Sequence, residues 1–568
     1  MARRLPVLVA APLIVVAAAL RGCGGGRDEP KRAPPVAAPP PVSPWEPRPG
    51  DEVPVPGGQV VVHLESEPGK LNSLIYPDAW GYYVTMHMIH ETLVREDPRP
   101  PYAYQPGLAE RWEVSPDKLT YTFHLRDGVR WHDGQPFTSR DVKFTFEKMF
   151  DPHVSAEGPR GTYGSLGCNT WDTPDDRTFR LFCKKPHFLF LTNIDELPIL
   201  PAHAMGDGDF NEHERNHRPL GTGPYKFDHW TPGSEIVLVR NDDYWGRKGY
   251  LDRIVYQYVE NPHTAVQLAG KGEIDFVSRV RELDQPTVRS DPKFTANFAQ
   301  LVHSPNAFYA LQFNNERPMF RDRRVRRAMA HLFDADTILQ SIMNGLGTHI
   351  ATIYYDGIPG WHGDLIPYPF DDERARQLLD EAGWKDTDGD GVRDKDGKPL
   401  RFTFLYPTIS LSVGRWVTGY QQALRKAGVQ MEIGTLEWPV FLERMRGHKF
   451  DMMAMSNSFL SARMDVFEVY HSSQAKNGYN YANFKNAEMD GLLEAMRSEL
   501  DESKRTPLDL RIQELAYEEL PFIPLFRPQL VAIVHKRIHG VTTSPEWYQL
   551  NEWWIPKRLQ GQAAPKAK

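Results

Sequence analysis

The chain is 568 residues long, 40% hydrophobic and 11% aromatic. At roughly 100–200 residues per domain, that is enough for several structural domains and a large buried core. The formal charge of −7 excludes a polyanion-binding role on charge balance, and no G-x-S-x-G nucleophile elbow occurs.

Arg3 and Arg4 precede an apolar run over residues 5–20, and Arg21-Gly22-Cys23 follows. A basic start, a short apolar stretch broken by Pro6 and Pro12, and a small residue before the break make residues 1–22 a secretory signal. Leu20-Arg21-Gly22-Cys23 resembles the bacterial lipoprotein signal, in which the cysteine is lipidated and becomes the mature N-terminus. Arg21 departs from that pattern, and an ordinary cleaved secretory peptide is the alternative. Residues 23–56 read as lipid attachment and tether, since eleven of the 33 residues from 24 to 56 are proline and build no core.

The folded part begins near Gly57 with a short strand at 60–64, and residues 80–93 carry helical signals. Residues 119–125 alternate like a half-buried strand. Cys168 and Cys183 sit symmetrically about the turn-rich Pro174-Asp175-Asp176-Arg177, between flanks that read as strands. A hairpin there brings the sulfurs face to face, and an oxidising compartment favours a disulfide; two separate buried thiols are the alternative. His213 and His217 are four apart with acids nearby, a spacing that sets two imidazoles on one helix face for zinc. The stretch is polar and turn-flanked and lacks a third ligand, so it reads as solvent-exposed.

Further strands are expected at 236–240, 254–259 and 309–314. After Asp322, Val325, Ala328, Met329, Leu332 and Phe333 fall on one helical face, and most of the arginines among them read as its solvated side. A second helix spans about 371–381, capped by Asp371 or Asp372 and stopped by Gly383. The stretch D-T-D-G-D-G-V-R-D-K-D-G follows, at 386–397. Asp386, Asp388, Asp390 and Asp394 match a calcium loop, but its twelfth position is Gly397 rather than glutamate, and a strand at 401–406 follows instead of a helix. Repeated Asp-Gly pairs also make tight turns, so a structural turn is favoured and calcium is the alternative; no cofactor is otherwise expected.

Several stretches now point one way. Pro106-Gly107-Leu108-Ala109-Glu110-Arg111-Trp112 is followed by Trp131-His132-Asp133-Gly134-Gln135-Pro136-Phe137-Thr138. Then come Gly221-Thr222-Gly223-Pro224-Tyr225, Asn241-Asp242-Asp243-Tyr244-Trp245-Gly246, Gly272-Glu273-Ile274-Asp275 and Pro521-Phe522-Ile523-Pro524-Leu525. From about residue 58 to 530 the chain resembles the bacterial family 5 extracellular solute-binding proteins, the peptide-binding components of ABC importers.

The resemblance implies an α/β fold of two lobes, the periplasmic-binding-protein clamshell, closing on a ligand. Residues 57–310 would form the first lobe, with an additional subdomain at about 95–215 packed on it. Residues 311–529 would form the second, 530–560 would return to the first, and 561–568 would be a tail. Function follows as an expectation: a monomeric, non-enzymatic, exported protein, anchored through Cys23, that passes a peptide or related small solute to permease subunits and binds no nucleic acid. An exported hydrolase and an envelope solute sensor are the rival readings.

Matched by motif position, the backbones of Asp78-Ala79-Trp80 and Ser456-Asn457-Ser458 would pair with an extended peptide, as an added strand. Trp80 and Trp438 would be pocket walls, and Tyr479-Asn480 would border the cleft; core packing is the alternative for each aromatic. Peptide binders of this family usually place an aspartate for the ligand's α-amino group in the second of these segments. Here it is absent, and Asp465 is the nearest substitute.

Overall fold

The computed structural model describes residues 53–561 except Pro77, Pro101, residues 459–462 and residues 543–547. The secretory signal, Cys23 and most of the tether lie outside them. Two sheets organise the described chain. The first has seven strands, in the order Phe298–His303, Leu530–His535, Phe276–Val280, Gln59–Leu64, Arg253–Tyr258, Glu235–Arg240 and Tyr225–Thr231. Gln59–Leu64 is central and runs parallel to both its neighbours. Its Q-V-V-V-H-L sequence suits a strand covered on both faces, and Val60, Val62, His63 and Leu64 are all buried.

The second sheet runs Gly347–His349, Phe522–Pro528, Ala307–Phe313, Met452–Ser458, Arg401–Pro407, Gln430–Leu436. Its last two strands are parallel and joined through the helix Leu411–Lys426, as a parallel pair requires. The chain leaves the first sheet through residues 304–306 and returns from the second through Gln529 alone. Arg527 fastens the two links together. It donates Nη2 to the Ser304 carbonyl at 3.0 Å, and its guanidinium lies 3.5 Å from the Tyr355 ring centroid.

The subdomain has its own four-stranded sheet, in the order Ala109–Val114, Thr120–Leu125, Thr178–Phe182, Thr170–Asp175. The helix Ser139–Phe150 covers it, its N-terminus closed by a capping box of Thr138 and Asp141. Trp131, Phe146, Tyr163 and Phe179 fill the core between them. A disulfide joins Cys168 to Cys183 across the hairpin that turns at Asp176-Arg177. Gly134, at φ +89°, closes the turn that buries Trp131.

The subdomain packs on the first lobe, where His132 Nε2 lies 3.0 Å from the Gly223 carbonyl. It also reaches the second lobe, which the sequence did not suggest. Lys118 pairs with Glu499 at 3.1 Å, and the Phe188 N–H donates to the Arg497 carbonyl at 3.0 Å.

Two local expectations change. The helix expected at 80–93 spans only Ala79–Thr85, because Met86 is extended and His87 takes φ +58°. The helix Arg323–His331 buries Val325, Ala328 and Met329 as expected, but Arg326 is buried too. Its guanidinium donates to the carbonyls of Phe320, Arg321, Glu519 and Leu520, which satisfies a charge that would otherwise be costly to enclose.

Candidate ligand-binding site

A cleft partly open to solvent, its enclosed part about 60 Å³, lies between the first sheet and the start of the subdomain. Trp80, Tyr83, Met86, Phe276 and Tyr548 make its apolar walls. Phe276 and Tyr548 meet edge to face with centroids 4.5 Å apart, a packing that fixes both rings. His87, Arg95, Glu96 and Asp195 make the cavity polar at one side.

The Asp195 carboxylate accepts from the Glu96 N–H at 3.1 Å and from Thr92 Oγ1 at 3.3 Å, and His87 Nε2 stands 3.4 Å away. Burial pushes the Asp195 carboxyl up to about 7 and its neighbour Glu196 up to about 8. The same burial holds the His87 imidazole well below its ordinary value. Glu96 faces across to the second lobe, where Arg463 Nε comes within 3.3 Å of its carboxylate. Arg463 also donates to the Tyr102 carbonyl at 3.1 Å and pairs with Glu502 at 2.8 Å. One arginine thus ties the cavity rim to the opposite lobe.

On that lobe, Met452–Ser458 pairs along its whole length with Ala307–Phe313. On its other side the strand Arg401–Pro407 reaches only Met452 and Met453. Among the described residues, 454–458 therefore pair on one side and present peptide groups on the other, the requirement for an added strand. Met455, Phe441 and Tyr481 pack together beneath this edge. Trp438 stacks on Phe441 at 5.8 Å, and Tyr479 meets Tyr481 at 6.0 Å. Both outer rings are accessible, Trp438 at 46% and Tyr479 at 61%, so neither belongs to the core.

Of the expected site residues, Ser456, Asn457, Ser458, Trp438 and Tyr479 come together here, and Trp80 lines the cavity. Asp78 and Ala79 do not offer a strand. Asp78 caps the helix Ala79–Thr85, its carboxylate accepting from the N–H groups of Trp80 and Gly81 and its carbonyl from the Tyr82 N–H. Asp465 is not placed to capture an amine. It is half-buried and paired with Arg497 at 2.6 Å and His187 at 3.4 Å. Burial alone would raise its carboxyl, but His187 and Arg497 together hold it below the ordinary range. Asn480 is fully buried scaffold, donating to the carbonyls of His471 and Phe484 and accepting from the Phe484 N–H.

Oxygens of Asp386, Asp388 and Asp394 lie within 4.8 Å of one another, while Asp390 stands apart. These carboxylates already close the turn, Asp386 accepting from the N–H groups of Gly389 and Gly391, and Asp394 from that of Thr387. Residues 213–217 spell H-E-x-x-H, yet they form a short 3-10 turn rather than the helix a zinc pair needs. His213 Nδ1 accepts from the Arg215 N–H, and the exposed His217 ring leans on Trp230 at 5.6 Å.

Sequence reading missed Arg95, Glu96 and Asp195. Residues 94–96 follow the segment read as helical and carry no motif, and nothing in the sequence joins them to a carboxylate about a hundred residues later. The signal available was Asp195-Glu196 standing between the apolar residues Ile194 and Leu197, where charge is unexpected.

The sequence pattern of the bacterial extracellular solute-binding proteins, family 5 Middle, matches residues 103–479. The oligopeptide-binding protein AppA of Bacillus subtilis is 30% identical over 516 residues, covering 89% of this chain and 93% of AppA. The solved structure of AppA with a nonapeptide aligns at a TM-score of 0.71 and 28% identity, covering 89% of this chain and all of that one, 100%. The periplasmic binding protein DppA of Helicobacter pylori, in complex with the peptide STSA, aligns at 0.70 and 25% identity, covering 88% of this chain and 98% of that one.

Proposed function

The chain belongs to the bacterial extracellular solute-binding proteins, family 5, and on that premise we propose that it captures a peptide between its two lobes outside the cytoplasm. It hands that peptide unchanged to the permease of an ABC importer. The observation that carries this reading is the strand edge at 454–458, open on one side and flanked by the exposed rings of Trp438 and Tyr479. Peptide groups on such an edge bind any extended peptide through its main chain, so affinity does not require one sequence. The cavity on the first lobe then receives a side chain or an end of the ligand. Similarity to AppA and DppA, both solved with peptides, supports the same cargo class. The lipoprotein-like sequence at Cys23 and the Pro-rich tether support an anchored protein, with the binding lobes held off the membrane.

The test is to purify the exported protein from its host and identify what elutes with it by mass spectrometry. Intact peptides are expected. A haem, a sugar or a metal chelate as the stoichiometric passenger would overturn the peptide reading, and cleavage of added peptides on incubation would favour the hydrolase.

A further inference from the structure

Charge in the cavity does not balance locally. The acids around the Val94–Glu96 strand each have partners: Asp97 pairs with Arg99 at 2.9 Å and Glu96 with Arg463 at 3.3 Å. Glu91 accepts from Tyr244, Trp245 and Thr222 at 2.7, 2.9 and 2.8 Å. Asp195 accepts from the Glu96 N–H and Thr92. Arg95 lines the same cavity, half-buried; its charge is felt by Glu91, Asp97 and Asp195, but among the described residues its guanidinium makes no direct ion pair or hydrogen bond with them. A guanidinium taken partly out of water and given no acceptor is costly, and a planar carboxylate is the group it fits best.

We infer that Arg95 is a specificity residue: it binds a carboxylate of the ligand at the polar side of the aromatic cavity, with the apolar part of the same ligand residue lying against Trp80, Phe276 and Tyr548. This rests on the peptide reading and names the ligand group that the first lobe reads. The carboxylate is either the peptide's terminal one or that of an acidic side chain. Asp195 adds no opposing charge when protonated, and with its carboxyl near 7 it is protonated over the mildly acidic range. Recognition there should strengthen as the pH falls from 8 to 6. The titratable and charged groups facing this cavity are His63, Tyr83, His87, Arg95, Glu96, Asp195, Tyr256 and Tyr548, with Arg463 contributed by the second lobe.

The test is calorimetric titration of the full mature chain with three pools of tetrapeptides. One ends in phenylalanine with a free carboxyl, one in phenylalaninamide, and one in glutamate blocked as its α-amide. The wild type should bind the free acid about tenfold or more tighter than the phenylalaninamide, the range of a charge-assisted hydrogen-bonded pair. In Arg95→Gln that ratio should fall to about one, while Arg95→Lys should keep part of it, since a point charge replaces a fork. Tight binding of the glutamate α-amide would identify a side-chain carboxylate as the source, and weak binding would identify the terminus. Equal binding of all three pools by the wild type would overturn the inference and leave the peptide reading standing. Failure of all three pools to bind would overturn both.

Discussion

On the proposed reading, the two lobes meet a ligand with different materials. The first offers side chains, a cavity walled by Trp80, Tyr83, Phe276 and Tyr548 with charged groups at one side. The second offers backbone, a strand with one side unpaired from residue 454 onward. Side-chain cavities discriminate, because a mismatched group leaves buried polar atoms without partners. A strand edge does not, because every peptide carries the same N–H and C=O groups. Breadth and selectivity can therefore be altered separately, one lobe at a time.

The most drastic way to break that division is to separate the lobes. Arg463→Met should leave the enclosed Glu96 carboxylate without its cation, only neutral groups such as Thr192 still donating to it, at a cost of about 3 kcal/mol in stability. A lower melting temperature, together with a larger radius of gyration by small-angle scattering, would be the signature. An unchanged radius would mean that other contacts hold the lobes. Proline substitution at Ser456, Asn457 and Ser458 in turn sharpens the contrast. Successive residues point their N–H groups alternately outward and into the ladder. Outward positions should lose about tenfold to a hundredfold in peptide affinity with little loss of stability, by analogy with one or two lost main-chain hydrogen bonds. Inward positions should lose stability instead. Uniform loss at all three, with affinity per folded molecule intact, would remove the edge from the binding site.

A smaller effect probes the first lobe alone. The Asp195 and Glu196 carboxyls are raised to about 7 and about 8, above the roughly 4 expected in an unfolded chain. The folded state therefore binds more protons between these limits. The stability they contribute is complete below about pH 4 and is lost as the pH rises through 7 and 8. Melting temperature should rise between pH 8 and pH 6, and Asp195→Asn should flatten that rise. The least change is expected at the acidic turn. A chelator should shift melting by less than about 1 °C, while Asp386→Asn should cost roughly 1 kcal/mol, as for a lost capping side chain. A large chelator effect would turn residues 386–394 into a calcium site.

What was legible in the sequence follows from how far each signal extends. The helix Arg323–His331 could be read because its apolar spacing is local, and the strand Gln59–Leu64 because both its faces are apolar. The stop at His87 could not be read, since a positive φ at a non-glycine residue leaves no compositional trace. Asp465 looked available because Arg497 and His187, its partners, lie far away along the chain. Asn480 is used up differently, its side chain being spent on backbone groups of the nearby residues 471 and 484. Ser456-Asn457-Ser458 falls on a strand edge, as its motif position implied, because such a position carries a strand's place in a sheet even where the side chains have diverged.

The links between the sheets have a mechanical consequence. Three residues in one and a single residue, Gln529, in the other leave almost no slack, and Arg527 fastens them side by side. Sliding of one half past the other is thereby suppressed, and swivelling about a line through the two links remains. In such motion the gap at any point widens in proportion to its distance from that line. Lengthening the Gln529 link by a few glycines would add new directions of travel, and the lips would then fail to meet in register.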